Sequence, residues 1–260
     1  MGRLFLGFFL IGSSWCSFLE ATIGSPKLLV LIIASDDLPV YVEDQAIWRS
    51  YMHLDPDHVE SYFLKGDPHL TTSYEIDGDV IWVKTEENVT PGIINKTIGA
   101  MEALLPRIER EFDFVLRANL SSFFVFPNLL KFLQTCPKTG FFGSGGVTHW
   151  YGYGWNSWAQ GSGILFSSDL ITLLVENKGQ LLNRIESHDD VVISDFLMEK
   201  QGYPLSSTDR VDLLSLADWH REQDSIPSNA YHFRVKNPID SQRESQDLFI
   251  YEKLLQRFYP

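Results

Sequence analysis

Leu28 to Ala34 reads LLVLIIA, an apolar run without polar alternation, and Ser35-Asp36-Asp37 closes it. A strand of that kind has no solvent face, which is the situation of an inner strand in a parallel sheet covered on both sides. The segments that follow alternate in type. Asp44 to Met52 has amphipathic helical spacing, Ser61 to Leu64 is a short strand, and Asp79 to Val83 is another. Pro91 to Leu105 carries Ile94, Ile98, Met101 and Leu105 on one helical face, with Pro91 near its start and Pro106 expected to follow its end. Asp113 to Leu116 reads as a strand, Pro127 to Leu133 as a helix, Gly163 to Phe166 as a strand, and Ile171 to Ile185 as helix-like. Val191 to Glu199 is helical, with Gly202 as its stop. Strands alternating with helices predict an α/β fold with a mainly parallel mixed sheet flanked by helices. Such sheets bind ligands beyond the carboxyl ends of their strands, where Asp36, Asp37, Asn119 and Ser121 fall.

The chain of 260 residues shows no internal repeat or low-complexity linker, and one domain is expected over 25–260. Its formal net charge of −13 argues against a nucleic-acid partner, which needs a basic face. A small phosphorylated ligand needs only a local Lys or Arg. Ahead of the domain, Arg3 precedes an uncharged stretch from Leu4 to Leu19, so residues 1–24 read as a signal peptide or signal anchor. Three Asn-x-Ser/Thr tripeptides, at Asn88, Asn95 and Asn119, fit a luminal protein. The expected location is the secretory pathway, in the Golgi or ER lumen as a type II membrane protein or secreted. With Cys16 in the leader, Cys136 is expected to be a plain thiol.

After the glycine-bearing turn Gly161-Ser162-Gly163, its strand and the Ile171 helix, two adjacent acids, Asp189 and Asp190, open the Val191 helix. Acids at a helix start are favoured by the unpaired N–H groups there, so either one can be a simple cap. A carboxylate beside a cleft can also take a proton from an attacking hydroxyl. Neighbouring carboxylates repel, which raises the pKa of one of them.

The order of the pieces resembles glycosyltransferase family 31, the beta-1,3-galactosyltransferase and N-acetylglucosaminyltransferase group that includes Fringe-like enzymes. The resemblance runs over about Leu28 to Asn237 and rests on QAIWRSYM, SYFLKG, DVIWVKTEENVTPGIINKT, FDFVLRANLSSFFVFPNLL, GSGILFSSDLI, HDDVVISDFL and YHFRVKNP. It implies a GT-A type Rossmann-like fold and inverting transfer of a sugar from a nucleotide-sugar donor, UDP-linked, to a hydroxyl of a glycan or glycoconjugate acceptor. Asp190 falls on the family's base position, with Asp189 beside it. Ser35, Asp36, Asp37, Arg49, Lys96, Arg117, Asn119 and Ser121 become donor-side candidates. For Asp36 and Asp37 the alternative is a turn, and for Arg49 and Lys96 a structural role. Trp150, Tyr151, Tyr153, Trp155 and Trp158, in a Gly-rich aromatic segment, together with Gly161, Ser162 and Gly163, become an acceptor platform, because sugar C–H faces pack on rings. The alternative is that the rings simply pack in the core.

The chain departs from that family at one place. Where an Asp-x-Asp triplet would hold Mn²⁺ or Mg²⁺, it reads Ala118-Asn119-Leu120-Ser121-Ser122. These ions prefer charged oxygen ligands, and Asn119 and Ser121 offer neutral ones. Three outcomes stay open: a weak site on Asn119, Ser121 and His232; metal-independent chemistry with Arg117, Lys96 or Arg234 facing the diphosphate; or an inactive sugar- or partner-binding protein. His232, between Tyr231 and Phe233, can equally be a packed core residue. A dinucleotide enzyme is disfavoured, because no Gly-x-Gly-x-x-Gly follows the first strand.

Overall fold

A computed structural model describes residues 24–150, 156–184 and 187–260. The strands are β1 (Leu28–Ile33), β2 (Val59–Gly66), β3 (Tyr74–Asp77), β4 (Val80–Val83), β5 (Phe114–Asn119), β6 (Ser122–Phe124), β7 (Phe142–Ser144), β8 (Val147–Trp150), β9 (Asn156–Ala159), β10 (Gly163–Ser167), β11 (Leu205–Ser207), β12 (Val211–Leu213) and β13 (His232–Val235). The helices are α1 (Pro39–Tyr51), α2 (Gly92–Glu111), α3 (Phe126–Leu133), α4 (Ser168–Glu176), α5 (Lys178–Leu182), α6 (Asp189–Asp195), α7 (Leu216–Glu222) and α8 (Asp240–Phe258).

Eight strands form the main sheet in the order β11-β7-β10-β5-β1-β2-β4-β3. β1 lies between β2 and β5 and pairs parallel with both; within this sheet only β10 and β3 run against the other strands. All six β1 residues are buried, as the unbroken apolar run requires. Leu28, Val30 and Ile32 face a core with Trp48 and Tyr51 of α1 and Tyr251 of α8. Leu29 and Leu31 face the opposite core, with Ile94, Ile98 and Met101 of α2 and Leu170 of α4. The mainly parallel α/β sheet flanked by helices is the architecture expected from the sequence. A three-stranded sheet, β12-β13-β6, and the β8-β9 hairpin extend it.

Helix α2 does not stop before Pro106. It continues to Glu111, with Pro106 inside it. Proline removes one backbone donor. Beyond it, however, Ile108 is fully buried in the α2 core, and Arg107 forks onto Glu60 at 2.7 and 2.8 Å. Those contacts outweigh the lost bond. The Ile171 segment, read as one helix, breaks at Asn177 into α4 and α5. The Val191 helix begins two residues earlier than expected and passes into a π-helical turn at Phe196–Lys200. Gly202 closes it at φ +76°, a conformation that glycine adopts without a Cβ penalty.

Among the described residues no helix is long and apolar enough to cross a membrane. The leader expected at 1–24 falls almost wholly on residues 1–23, outside the described residues.

Candidate functional site

The chain leaves β1 through α1 toward β2 on one side, and returns through α2 to β5 on the other. The crevice beyond the carboxyl ends of β1 and β5 is therefore the switch point of the sheet, where open α/β folds bind ligands. Two adjoining spaces open there. The smaller, about 410 Å³, is walled by Ile33, Ala34, Leu38, Val89, Ile93 and Leu120, with Ser35, Asp37 and Lys96 among its polar residues. The larger, about 800 Å³, is lined by Arg117, Gly161, Ser162, Asp189, Asp190 and Arg210 among others. Ile93, Asn119, Arg234 and Lys236 line both, so the two spaces form one cleft with a polar waist. Each volume lies in the range of small-molecule sites.

The floor of the larger space is a buried ion pair. Alternation along β5 turns Arg117 toward the α2 side, where its Nη2 meets Asp189 at the start of α6 at 2.8 Å. Arg117 Nη1 donates to Asn119 Oδ1 at 2.8 Å and to the Gly161 carbonyl, and Thr97 Oγ1 donates to Asp189 at 3.3 Å. Both charged side chains are almost fully buried, so each depends on the other.

Asp190, one position on, turns into the cleft instead. It forms no salt bridge among the described residues; its carboxylate accepts the backbone N–H of Gly161 at 3.1 Å and of Val191 at 2.9 Å. Burial, and then the adjacent Asp189 charge, push its pKa above the ordinary aspartate value, against the pull of Arg117 and the two N–H groups. Neither acid is the helix cap: the N-cap position is His188, and no side chain bonds there. Gly161 is needed for this geometry: a Cβ there would stand 2.7 Å from Arg117 Nη1 and 3.3 Å from Asp190 Oδ2.

The waist is cationic. On β13, Arg234 sits opposite Asp212 of β12, but Asp212 is held by Arg210 at 2.6 and 2.9 Å. Among the described residues no carboxylate lies within ion-pair distance of Arg234. Arg210 also donates to Gln160 Oε1 at 2.5 Å and to Ser162 Oγ at 2.9 Å.

The remaining expected residues divide. Ser35 and Asp37 line the smaller space, as does Lys96, whose ammonium is buried, donates to the Ala34 carbonyl at 2.9 Å and pairs with Glu87. Asp36 lines neither space and is held by Lys65 at 2.6 Å. Arg49 lies away from the cleft, paired with Asp79 at 2.8 Å over the Phe63 ring. Trp158 is half-buried on β9 and lines neither space. Gly163 packs beneath the cleft, its Cα within a methyl's reach of His232 and Phe124. Tyr151, Tyr153 and Trp155 lie outside the described residues, as does the Trp150 side chain.

The metal candidates do not fit a divalent ion. Asn119 Oδ1 already accepts from Arg117, whose positive charge would oppose a cation. Ser121 supplies one neutral hydroxyl. His232 is buried, stacked on Phe124 at 4.4 Å, and lines neither space; burial first, with Arg210 and Arg234 nearby, holds its pKa well below the ordinary value. Among the described residues no group of three His, Cys, Asp or Glu is placed to hold a metal ion.

Sequence reasoning did not find Arg210, Gln160, Lys236 or the α8 residue Arg243, all of which line the cleft. Arg210 and Lys236 flank the short strands β12 and β13, Gln160 follows β9 and Arg243 lies on α8, places whose sequence patterns signal no strand end. The three Asn-x-Ser/Thr asparagines all have local partners: Asn88 Oδ1 accepts from Gly92 N at 2.7 Å, Asn95 donates to Thr85 at 3.0 Å, and Asn119 holds Arg117.

No family model matches the chain, and no curated protein matches it in sequence. The solved structure of mouse xyloside xylosyltransferase 1 in its apo form is similar at 11% identity and a TM-score of 0.40, covering 80% of this chain and 97% of that one. None of these comparisons places the chain in glycosyltransferase family 31.

Proposed function

We propose that the chain is a glycosyltransferase that moves a sugar from a nucleotide-sugar donor to a hydroxyl of a glycan or glycoconjugate. The observation that carries this reading is Asp190: a carboxylate with raised pKa and no ion-pair partner among the described residues, facing a cleft at the sheet's switch point. The smaller space, with apolar walls and Ser35 and Asp37 at its edge, suits a nucleoside. The larger suits the sugar and the acceptor.

In this scheme the acceptor oxygen attacks the anomeric carbon from the face opposite the leaving group. Its proton passes to Asp190, the bond to the diphosphate breaks, and the diphosphate leaves with the electron pair. Attack from that face inverts the anomeric centre. The motif order shared with glycosyltransferase family 31 supports the same roles and suggests UDP as carrier. Action in the secretory pathway, with membrane attachment through residues 1–24 where they are retained, belongs to the same proposal.

A second reading has its own observation. With Asn119 and Ser121 in place of the acidic triplet, the chain would be a sugar- or partner-binding protein without turnover. Incubation with a panel of nucleotide sugars, reading nucleoside diphosphate release with and without candidate acceptors, separates the two. Release that disappears in Asp190→Asn supports transfer. Donor binding with no release from any sugar supports the binder.

A further inference from the structure

Among the described residues no group of three His, Cys, Asp or Glu is placed in the cleft to hold a metal ion, and at the waist Arg234 has no carboxylate within ion-pair distance. Arg234 lines both spaces. The acid best placed to neutralise it, its cross-strand partner Asp212, is taken up by two hydrogen bonds from Arg210. Arg117 is likewise committed to Asp189, and Lys96 to Glu87. The Arg234 guanidinium is half-buried; burial first, and then the Arg210 and Arg117 charges, act against its positive form, and the Asp212 charge offsets them only in part, so an entering anion is favoured. In a chain of net charge −13, such a spot is not a by-product of general basicity.

We infer that Arg234, at the join of the two spaces, forms a diphosphate-binding site that works without a divalent cation. The planar fork of Arg234 matches two phosphate oxygens, and Lys236 lies beside it on the same wall. On the transfer reading, this site holds the leaving group between nucleoside and sugar. The bond that breaks is the anomeric C–O bond, and the charge that develops on the diphosphate oxygen is met by fixed guanidinium donors instead of a metal ion. The site deepens that reading but is testable without it.

The test is calorimetric titration of the full chain with inorganic pyrophosphate in EDTA, and again with Mg²⁺ or Mn²⁺ in excess. Binding in EDTA is expected, weakened at least tenfold in Arg234→Gln and less in Arg234→Lys, which keeps the charge but loses the fork. Arg49→Gln, remote from the cleft, leaves it unchanged. Circular dichroism and melting curves establish that each variant is folded; should Arg234→Gln fail to fold, the wild-type comparison and Arg234→Lys decide. Pyrophosphate binding only when metal is added overturns the inference, as does wild-type affinity in folded Arg234→Gln. Pyrophosphate binding without donor turnover sinks the transfer reading and leaves this site standing. Donor turnover without pyrophosphate binding does the reverse.

Discussion

In the smaller half of the cleft the fully buried cations are matched. Lys96 faces Glu87, and Arg243 faces Asp247 at 3.1 Å and Asp44 at 3.5 Å, behind a wall of aliphatic side chains. In the larger half and at the waist, Asp190 and Arg234 are left without ion-pair partners among the described residues, although paired groups surround them. Neutralised charge behind apolar walls builds a shape. Unneutralised charge on a rigid scaffold builds reactivity, because its partner is supplied by the ligand. On the proposed reading, the contrast divides the cleft into a part that would hold the ligand and a part that would act on it.

The sharpest way to break that contrast is Asp190→Asn. Loss of a general base lowers turnover by about 10²–10⁴-fold. On the proposed transfer reading, donor affinity stays within a few fold, since Asp190 would meet the acceptor and not the donor. In the wild type the rate rises with pH as Asp190 ionises, along a limb displaced above that of an ordinary aspartate by its burial and by Asp189. Equal rates in wild type and variant would remove the distinction between the two halves.

Asp189→Ala addresses the floor. It leaves Arg117 buried and uncompensated, at a cost of about 3–5 kcal/mol in denaturant unfolding. A loss below 1 kcal/mol would mean that Arg117 finds solvent or another partner. Gly161→Ala follows: the added methyl crowds Arg117 and Asp190 and displaces the carboxylate, with turnover falling by up to about 10²-fold. Folding is affected less, as measured by the melting midpoint.

The smallest effect concerns the matched half. Burial, opposed by Arg243, pushes the Asp44 carboxyl to about 7. Its folded pKa lies above its unfolded value, so the native state binds the proton more tightly between the two. Stability from this group is full below about pH 4 and is lost as pH rises toward 7. The difference in unfolding free energy between wild type and Asp44→Asn should change by at most about 2 kcal/mol between pH 5 and 7. A pH-independent difference would show that Asp44 is charged throughout and paired with Arg243.

The half of the fold that was legible in the sequence is the half built on long periodic segments. β1 declared itself by an apolar run with no solvent face, and α2 by the spacing of Ile94, Ile98 and Met101. The three-residue strands β6, β7, β11 and β12 are too short to display a period, and β3 pairs with β4 through a two-residue Gly78-Asp79 turn. The site followed the same division. Asp190 and Asn119 lie at the ends of legible elements and reach the cleft. Arg49 lies on the legible α1 and Asp36 in the loop just after β1, yet Asp79 and Lys65 draw them elsewhere, and those partners are set by tertiary packing. Arg210 stands beside β12, where no local pattern marks it as a cleft residue. Arg234 was noticed in the sequence, but its lack of a partner depends on the Arg210–Asp212 pair, which only the fold brings together.

A crystal structure of the chain with a non-hydrolysable nucleotide sugar tests the division of the cleft most directly. The account predicts one ligand spanning both spaces: nucleoside against Ile33 and Leu120, diphosphate on Arg234, and the anomeric carbon facing Asp190 across room for an acceptor hydroxyl. A donor seated with its sugar away from Asp190, or bound outside the cleft between β1 and β5, would contradict it.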